Sequence, residues 1–356
     1  MEKQIVCLAG DGIGPEVMAA GKRVLHMIER LYQHKFHLQD ELFGGAAIDA
    51  YGNPLPARTL AACLASDAVL LAAVGGPRWD TAPERPEKGL LALRKALGVY
   101  ANVRPVTVDE ATLHLSPLKE ECAKNVDFVV VRELTGGIYF SYPKHRTNEQ
   151  ATDTLTYSRR EVERIVEYAF RLAATRRKKV TSIDKANVLE SSKLWREVTE
   201  EVALRYQGIA LEHLLVDAAA MEMIKNPGRF DVIVTENLFG DILSDEASVL
   251  SGSLGMLPSA SHAEQGPSLY EPIHGSAPDL EADRANPIAM MRSVAMMLQQ
   301  SFGLSAEANA IEQAIQNVLK TGKATSDLGG KETTSSFTNY VLQELEAQVL
   351  VGRGRA

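Results

Sequence analysis

Short apolar runs alternate with amphipathic stretches along the first hundred residues. Ile5–Ala9 and Ala68–Val74 are apolar runs that predict buried strands. Residues 15–32 begin with Pro-Glu and continue with helical periodicity, which predicts a helix. Gly75-Gly76-Pro77 predicts a loop after the second run. This alternation predicts an α/β fold with a largely parallel sheet.

A second block begins near residue 102 and continues the alternation. Strands are predicted at Asp127–Arg132, Lys179–Ile183, Leu211–Val216 and Phe230–Thr235. Helices are predicted at about Ser158–Arg177, Ser191–Tyr206, Pro287–Phe302 and Ala306–Leu319. Thr135–Tyr142 is typical of a hairpin-like segment, and His274–Asn286 is typical of a loop. The polar stretch Pro143–Thr152 indicates either a disordered tip or an arm that contacts a partner.

Composition limits the classes of protein to consider. The 356 residues are 45% hydrophobic and 24% charged, which excludes a disordered chain, and the length favours two domains. A net charge of −8 argues against a nucleic-acid-binding surface. Three distant cysteines without CxxC spacing argue against a disulfide scaffold or a zinc site. Since 68–74 is far too short to span a membrane, we expect a soluble cytoplasmic protein without membrane partners.

A glycine-rich segment, Gly10-Asp11-Gly12-Ile13-Gly14-Pro15-Glu16, lies between the first predicted strand and helix. Pro15 occupies the position that a Rossmann fingerprint reserves for glycine, so the segment is not that fingerprint. Two interpretations remain open. The glycines allow either a tight strand-to-helix turn or the close approach of a ligand to the backbone at a helix N-terminus.

Arginines occur beside apolar residues or at the ends of predicted strands. Glu87, Leu90, Leu91 and Arg94 share one helical face, so Arg94 either extends into solvent or binds an anion while the leucines receive an aliphatic group. Arg104 and Arg132 follow strand-like runs, where ligands of α/β proteins bind. Three such arginines in one cleft would bind a substrate with two carboxylates.

Carboxylates and a lysine follow other predicted strands. Asp241 and Asp245 are four residues apart, so on a helix both carboxylates point the same way. They either complement the helix dipole or bind Mg²⁺ or Mn²⁺. Lys185 follows a buried-type strand, where partial desolvation would favour use as a base, although solvated lysines are common there. Asp217 is a similar lone acid, for which helix capping is the simpler role in isolation.

The loop Glu271–Leu280 contains glycine, serine and two prolines, so it is a rigid loop able to wrap a nucleotide. Asp279 would accept a hydrogen bond from a ribose 2′-hydroxyl and repel a 2′-phosphate. His274, taken alone, is more often structural than catalytic.

These segments together resemble the isocitrate/isopropylmalate dehydrogenase family of metal-dependent β-decarboxylating dehydrogenases. The resemblance covers nearly the whole chain and is carried by GDGIGPEV, AVGGPRWD, EKGLLALRKALGVYANVRP, VRELTGGIYF, SIDKANVLESSKLWREV, ENLFGDILSDEASVLSGSLGMLPSAS and EPIHGSAPDL. It implies a two-domain, non-Rossmann α/β fold. The cofactor-binding domain would be discontinuous, 1–99 and 252–356, and the substrate and dimerisation domain would be 100–251 with an arm near 134–156.

The resemblance also implies an activity and its cofactors. The reaction is NAD⁺-linked oxidation of the C2 hydroxyl of 3-isopropylmalate with loss of the C3 carboxylate as CO₂, which gives 4-methyl-2-oxopentanoate in leucine biosynthesis. Family members are homodimers that share sites, so Lys185, Asn187, Val188 and Asp217 would come from the partner subunit. The alternatives are a relative that acts on D-malate, tartrate or homoisocitrate, or a silent nucleotide- or RNA-binding protein that kept the fold.

Residue roles follow from the matched motifs. Lys185 matches the base and Tyr139 the acid of the family. The implied ligands of Mg²⁺ or Mn²⁺ are Asp217, Asp241 and Asp245. The implied substrate contacts are Arg94, Arg104, Arg132 and Asp217 for the malate part, with Glu87, Leu90, Leu91 and Val188 around the isopropyl group. The implied NAD⁺ contacts are Gly75, Gly76, Asn187, Glu271, His274, Gly275, Ser276, Ala277, Asp279, Leu280, Asn286 and Asp327. The chain departs from the family pattern at Ala218, where asparagine is expected, and in 280–286, which lacks Gly-Lys-Gly.

Overall fold

The computed structural model describes the backbone of residues 1–353 and the side chains of residues 1–348. In chain order the strands are β1 (Glu2–Gly10), β2 (Lys35–Asp40), β3 (Ala68–Ala73), β4 (Val99–Thr107), β5 (Asp127–Glu133), β6 (Lys144–Arg146), β7 (Ala151–Asp153), β8 (Lys179–Asp184), β9 (Ala210–Leu215), β10 (Val232–Thr235), β11 (Pro258–Ala263) and β12 (Ser268–Pro272). The helices are α1 (Gly14–Tyr32), α2 (Gly45–Tyr51), α3 (Ala57–Ala65), α4 (Pro86–Leu97), α5 (Glu120–Ala123), α6 (Arg159–Ala174), α7 (Glu190–Ala203), α8 (Val216–Lys225), α9 (Asn237–Val249), α10 (Ile288–Gln300), α11 (Ser305–Lys320) and α12 (Thr334–Arg353).

The chain forms two compact units, one made of 1–99 and 252–356 and the other of 100–251. In the first unit the strand order is β2-β1-β3-β12-β11, and neighbours are parallel except for the antiparallel pair β11 and β12. All six residues of β3 are buried, as expected for a central strand covered on both faces.

In the second unit the strand order is β4-β5-β10-β8-β9, and only β4 runs antiparallel to its neighbour. Thr235 on β10 is in register with Arg132 on β5 and with Ile183 on β8. Side chains that follow these three strands therefore emerge at one edge of the sheet, where ligands of α/β proteins bind.

Helices α6 and α7 bury the second unit's sheet. Phe170 on α6 and Trp195 on α7 lie in one apolar cluster with Val131 and Val234. Full burial of each such side chain is worth about 1.5–3 kcal/mol. This core fixes the strand ends from which the site residues project. In the described part of the chain, no helix combines the length and apolarity needed to cross a membrane.

Most predicted elements are confirmed, including the α/β class with a mostly parallel sheet. The hairpin-like prediction for Thr135–Tyr142 is wrong: this segment contains a 3-10 turn at Gly137–Tyr139. The hairpin lies later, where β6 pairs antiparallel with β7 in the polar stretch. Periodicity failed here because Gly137 adopts φ +74°, which turns the chain before a strand can form. Whether this exposed hairpin contacts a partner stays a prediction.

Helix α6 begins with a complete capping box. Ser158 accepts a hydrogen bond from the Glu161 backbone N–H, and the Glu161 carboxylate accepts one from the Ser158 backbone. We expect Ser158→Ala to lower stability by about 1 kcal/mol, because it leaves a helix N–H unpaired. Thermal unfolding followed by circular dichroism should show a lower midpoint for Ser158→Ala and little change for Ser158→Thr, which keeps the acceptor. Equal midpoints for wild type and Ser158→Ala would contradict this assignment.

Candidate functional site

Arg132 is the central charged group of the second unit's strand edge. Its side chain is 4% exposed and forms an ion pair with Asp241 on α9. Its Nε donates to Asn237 Oδ1 at 3.0 Å. A Cβ on Gly240 would lie 2.6 Å from Arg132 Cγ, so glycine at that position lets α9 approach β5. The buried guanidinium therefore has partners that α9 supplies at i and i+4.

Arg104 on β4 is held in a similar way. Its Nε donates to Asn102 Oδ1 at 2.9 Å, and its Nη1 donates to Ser244 Oγ at 2.8 Å. The same Nη1 lies 3.0 Å from Asp245 Oδ1, with the Asp245 side chain 65% exposed. Each aspartate of the i, i+4 pair thus faces an arginine, which offsets the repulsion between the two carboxylates.

Tyr139 joins the Arg132 and Asp241 pair. Its hydroxyl donates to Asp241 Oδ2 at 2.9 Å, and Arg132 Cζ lies 5.9 Å from the centre of its ring. Burial, followed by the hydrogen bond to Asp241, raises the pKa of Tyr139 above its ordinary value. The phenol is therefore protonated at neutral pH and is available as a proton donor.

Lys185 and Asp217 form a separate pair in the same unit. Lys185 follows β8, its side chain is 28% exposed, and its Nζ donates to Asp217 Oδ1. This hydrogen bond lowers the pKa of the exposed Asp217 carboxyl. Asn187 and Val188 lie on the adjacent turn, where Val188 is 63% exposed.

The three aspartates expected to hold a metal do not come together within one chain. Among the residues whose side chains are described, no three acidic, histidine or cysteine groups form a metal-binding cluster. Asp241 and Asp245 alone offer hard carboxylate oxygens from one side of α9, which suits Mg²⁺ or Mn²⁺ but leaves the ligand set incomplete. Completion by Asp217 of a partner subunit stays a prediction.

In the first unit, Arg94 does not extend freely into solvent. Its side chain is 12% exposed, and its Nη2 donates to Glu271 Oε1 at 2.7 Å. On the same helix, Leu90 is half-buried and Leu91 is 38% exposed. The helix therefore presents a paired cation beside apolar side chains, and the anion-binding role of Arg94 stays a prediction.

The turn after β3 approaches Glu87. Gly75 and Gly76 have φ of +100° and +151°, which side chains rarely adopt. A Cβ on Gly75 would lie 2.6 Å from Glu87 Oε1.

Two residues expected to contact the cofactor also contact each other, since Asn286 Nδ2 donates to Asp327 Oδ2 at 2.9 Å.

The loop after β12 contains an unsatisfied buried nitrogen. His274 Nδ1 bonds to the Gly275 carbonyl at 2.9 Å, whereas His274 Nε2 is buried and has no hydrogen-bond partner among the described residues. Burial lowers the pKa of His274, so the ring is neutral at pH 7. A Cβ on Gly275 would meet open space, and Ala277, Asp279 and Leu280 are exposed. This loop fits a polar ligand laid along it.

Sequence reasoning missed the residues that position the arginines. Asn102 lies two residues before Arg104 on a strand, so both point to the same face. Asn237 lies four residues before Asp241, a spacing that could have indicated it. Tyr157 also escaped notice: its hydroxyl accepts from the Asn237 backbone N–H at 2.9 Å, a contact between distant residues.

The chain is similar to known proteins in sequence and in fold. Residues 4–341 match the isocitrate/isopropylmalate dehydrogenase family model. The chain is 79% identical over 356 residues to a 3-isopropylmalate dehydrogenase of Bacillus cereus, covering 100% of both chains. It is 62% identical to a 3-isopropylmalate dehydrogenase of Listeria innocua, covering 97% of this chain and 99% of that protein. A crystal structure of isocitrate dehydrogenase from Methylococcus capsulatus matches with TM-score 0.86 at 34% identity, covering 96% of this chain and 99% of that one. A β-decarboxylating dehydrogenase from Thermococcus kodakarensis matches with TM-score 0.81 at 34% identity, covering 97% and 96%.

The Tyr139 environment makes a graded prediction. Asp241 and, more weakly, Asp245 raise the pKa of this phenol in addition to burial. We therefore expect Asp241→Asn to lower the Tyr139 pKa clearly and Asp245→Asn to lower it less. Titration of ring-labelled tyrosine by NMR, with the signal assigned from Tyr139→Phe, measures both changes. The proposed contacts would be wrong if Asp241→Asn left the titration unchanged.

Proposed function

The chain belongs to the isocitrate/isopropylmalate dehydrogenase family, and we propose that it catalyses the NAD⁺-linked oxidative decarboxylation of 3-isopropylmalate to 4-methyl-2-oxopentanoate and CO₂ in leucine biosynthesis. The observation that carries the proposal is the joint arrangement of Arg132, Asp241 and Tyr139, which brings an anion-binding group, an acid and a proton donor together. Full-length identity of 79% to a 3-isopropylmalate dehydrogenase supports this substrate over D-malate, tartrate or homoisocitrate.

The malate part of the substrate is bound by Arg94, Arg104 and Arg132. In the structure each guanidinium already pairs with a carboxylate, that of Glu271, Asp245 and Asp241 respectively. A substrate with two carboxylates replaces the oxygens of Glu271, Asp245 and Asp241 on these guanidinium groups with its own. Bidentate geometry makes arginine well suited to such an exchange. The aspartates released in this way become free to bind a cation.

The isopropyl group selects the substrate. Leu91 is 38% exposed, Leu90 is half-buried beside it, and Val188 is 63% exposed. Apolar side chains left in water gain about 25 cal/mol per Å² when an alkyl group covers them. A third carboxylate in the same place, as in isocitrate, would be buried without a partner at a cost of several kcal/mol.

Two bound groups complete the chemistry. When bound, NAD⁺ accepts the hydride from C2, and Mg²⁺ or Mn²⁺ polarises the C2 oxygen. Asp241 and Asp245 with Asp217 of the partner subunit would hold the ion. The residues that would contact the dinucleotide are Gly75, Gly76, Glu271, His274, Gly275, Ser276, Ala277, Asp279, Leu280, Asn286, Asp327 and Asn187 of the partner subunit. The unpartnered His274 Nε2 supports this placement, since a buried ring nitrogen needs a hydrogen-bond partner.

The chain's own side chains move the protons. Lys185 of the partner subunit removes the C2 hydroxyl proton as C2 is oxidised to a ketone. The bond from C3 to its carboxylate then breaks, CO₂ leaves, and the electron pair forms an enolate between C3 and C2. Tyr139 returns a proton to C3; burial and Asp241 raise the pKa of this phenol, so it is protonated at neutral pH before the transfer. Asp241 accepts a hydrogen bond from the Tyr139 hydroxyl and so orients that hydroxyl.

The shared site requires a homodimer, and the surface of the second unit supports one. Helices α8 and α9 expose apolar side chains: Met221 is 65% exposed, Ile224 44%, Ile242 59% and Val249 55%. Large exposed apolar side chains grouped on two helices indicate a protein interface. A second copy on this face covers them and supplies Lys185, Asn187, Val188 and Asp217.

The free cysteines, with Cys7 and Cys63 buried, suit a cytoplasmic enzyme.

Substrate preference tests the proposal directly. We expect NADH production from 3-isopropylmalate to exceed that from D-malate or isocitrate by at least about 100-fold in kcat/KM. Isocitrate would bury an unpaired charge in the alkyl pocket at a cost of several kcal/mol, and D-malate lacks the alkyl group whose burial favours binding. EDTA should abolish NADH production, and Mn²⁺ should restore it. NADH absorbance with each substrate, with and without Mn²⁺, is the measurement. Comparable kcat/KM for D-malate and 3-isopropylmalate would refute the assignment.

Lys185→Ala tests the assignment of the base. We expect kcat to fall by about 10²–10⁴, the range typical of a lost general base, with substrate binding still measurable by calorimetry. Lys193→Ala is the matched control, because Lys193 is an exposed lysine nearby that pairs with Glu190. Turnover of Lys185→Ala at the level of the Lys193→Ala control would remove Lys185 from this role.

A further inference from the structure

The segment Gly10–Glu16 has no role in the chemistry described so far. Its glycines were compatible with a tight turn or with direct approach of a ligand. In the structure, the backbone and two carboxylates of this segment contact five other stretches of the same unit. Three of these stretches, the Gly75 turn, the loop at Ser276 and the 283–286 loop, carry expected cofactor contacts. The segment thus connects parts of the unit that lie far apart in the sequence.

Asp11 is the first of these carboxylates. It is 4% exposed and accepts three backbone hydrogen bonds. Its Oδ2 accepts from Gly75 N and Gly45 N, both at 2.9 Å, and its Oδ1 accepts from Ala46 N at 2.8 Å. Burial raises the pKa of Asp11, and these N–H groups oppose that shift. One carboxylate therefore fixes the start of α2 and the Gly75 turn together.

Glu16, in the first turn of α1, is the second. Its Oε2 accepts from Asp283 N at 2.8 Å, and its Oε1 accepts from Ala285 N at 2.8 Å and from Thr334 Oγ1 at 3.0 Å. Asp283 has φ +60°, a left-handed conformation that residues other than glycine rarely adopt. The Glu16 carboxylate holds this strained loop, which leads directly into Asn286.

The backbone of the segment fixes the loop after β12. Ile13 N donates to the Ser276 carbonyl at 2.9 Å. Gly12 has φ +56°, and a Cβ there would lie 2.0 Å from Ser276 O. Glycine is required at this position because two segments of backbone meet, a reason that involves no ligand.

We propose that Asp11 and Glu16 are positioning residues for the dinucleotide, acting through the backbone of the Gly75 turn and of the 283–286 loop. The inference rests on the proposed function, because that function places the cofactor against these stretches. In this proposal the glycines allow backbone segments to pack closely. The two carboxylates hold the loops that bind the cofactor in position.

Helix α1 supplies its own control. Glu29 lies on the same helix and accepts from a remote backbone N–H, that of Phe36 on β2, at 2.6 Å. None of the expected cofactor contacts lies on β2. Glu29→Gln therefore removes a carboxylate charge from a similar contact with backbone, and it leaves the Gly75 turn and the 283–286 loop unchanged.

The experiment compares Glu16→Gln, Asp11→Asn and Glu29→Gln. In Glu16→Gln the amide oxygen still accepts from one side, but the NH₂ group faces a backbone N–H and loses that bond. We expect KM for NAD⁺ and the calorimetric Kd for NAD⁺ to rise about tenfold, about 1.4 kcal/mol. We expect kcat and KM for 3-isopropylmalate to stay within about twofold of wild type, since none of the hydrogen-bond partners of Glu16 or Asp11 is an expected substrate contact. Asp11→Asn should show the same split, and Glu29→Gln should show none.

Two results would overturn the proposal: a Kd for NAD⁺ in Glu16→Gln no higher than in Glu29→Gln, or an equal rise of KM for both ligands. If Glu16→Gln does not fold, Thr334→Val removes the hydroxyl that lies 3.0 Å from Glu16 Oε1 and 2.6 Å from the Ala285 carbonyl oxygen. This variant loosens the same contact between Glu16 and the loop, and an unchanged Kd for NAD⁺ in it overturns the proposal equally. Binding of NAD⁺ is measured without substrate. A wild-type protein that binds NAD⁺ but forms no NADH from 3-isopropylmalate would therefore refute the proposed function while leaving this test valid.

Discussion

The buried guanidinium of Arg132 is the constraint on which the second unit's site depends. A charge that is 4% exposed is tolerated only with partners in good geometry, and removal of one partner of such a pair costs about 3–5 kcal/mol. Asp241 and Asn237 meet this requirement from α9, and Gly240 allows the helix close enough. The register of β5 with β10 places the start of α9 beside Arg132. The packing of the sheet therefore fixes the position of the Arg132 guanidinium.

Two ion pairs of the second unit bear on the proposed function. Arg104 pairs with Asp245, and Arg132 pairs with Asp241. Under the proposed function, a diacid substrate takes the place of the two aspartates on these arginines, and a divalent cation pairs with the aspartates that are released. Neither ligand alone leaves these four charges paired, so we expect substrate and cation to bind cooperatively. Carboxylates act differently in the first unit, where buried Asp11 and half-buried Glu16 accept hydrogen bonds from backbone N–H groups and fix loops.

Sequence patterns predicted the strands, the long helices and the i, i+4 relation of Asp241 and Asp245, because these depend on local periodicity. They missed the partners of the arginines, such as Asn102 and Ser244, because a polar residue in a strand or helix does not show which distant group it contacts. They also placed the hairpin in the wrong segment, since Gly137 turns the chain in a stretch whose composition is otherwise strand-like. Whether Arg94 was solvated or held likewise depended on Glu271, which lies 177 residues away in sequence.

Coupling between the two ligands tests the exchange of partners most directly. Mn²⁺ binding can be measured by calorimetry without NAD⁺, so that no turnover occurs, first alone and then at saturating 3-isopropylmalate. The exchange predicts that the Kd for Mn²⁺ falls by at least about tenfold with substrate present, and that Mn²⁺ lowers the Kd for substrate by the same factor. Equal Kd values for Mn²⁺ with and without 3-isopropylmalate would contradict it.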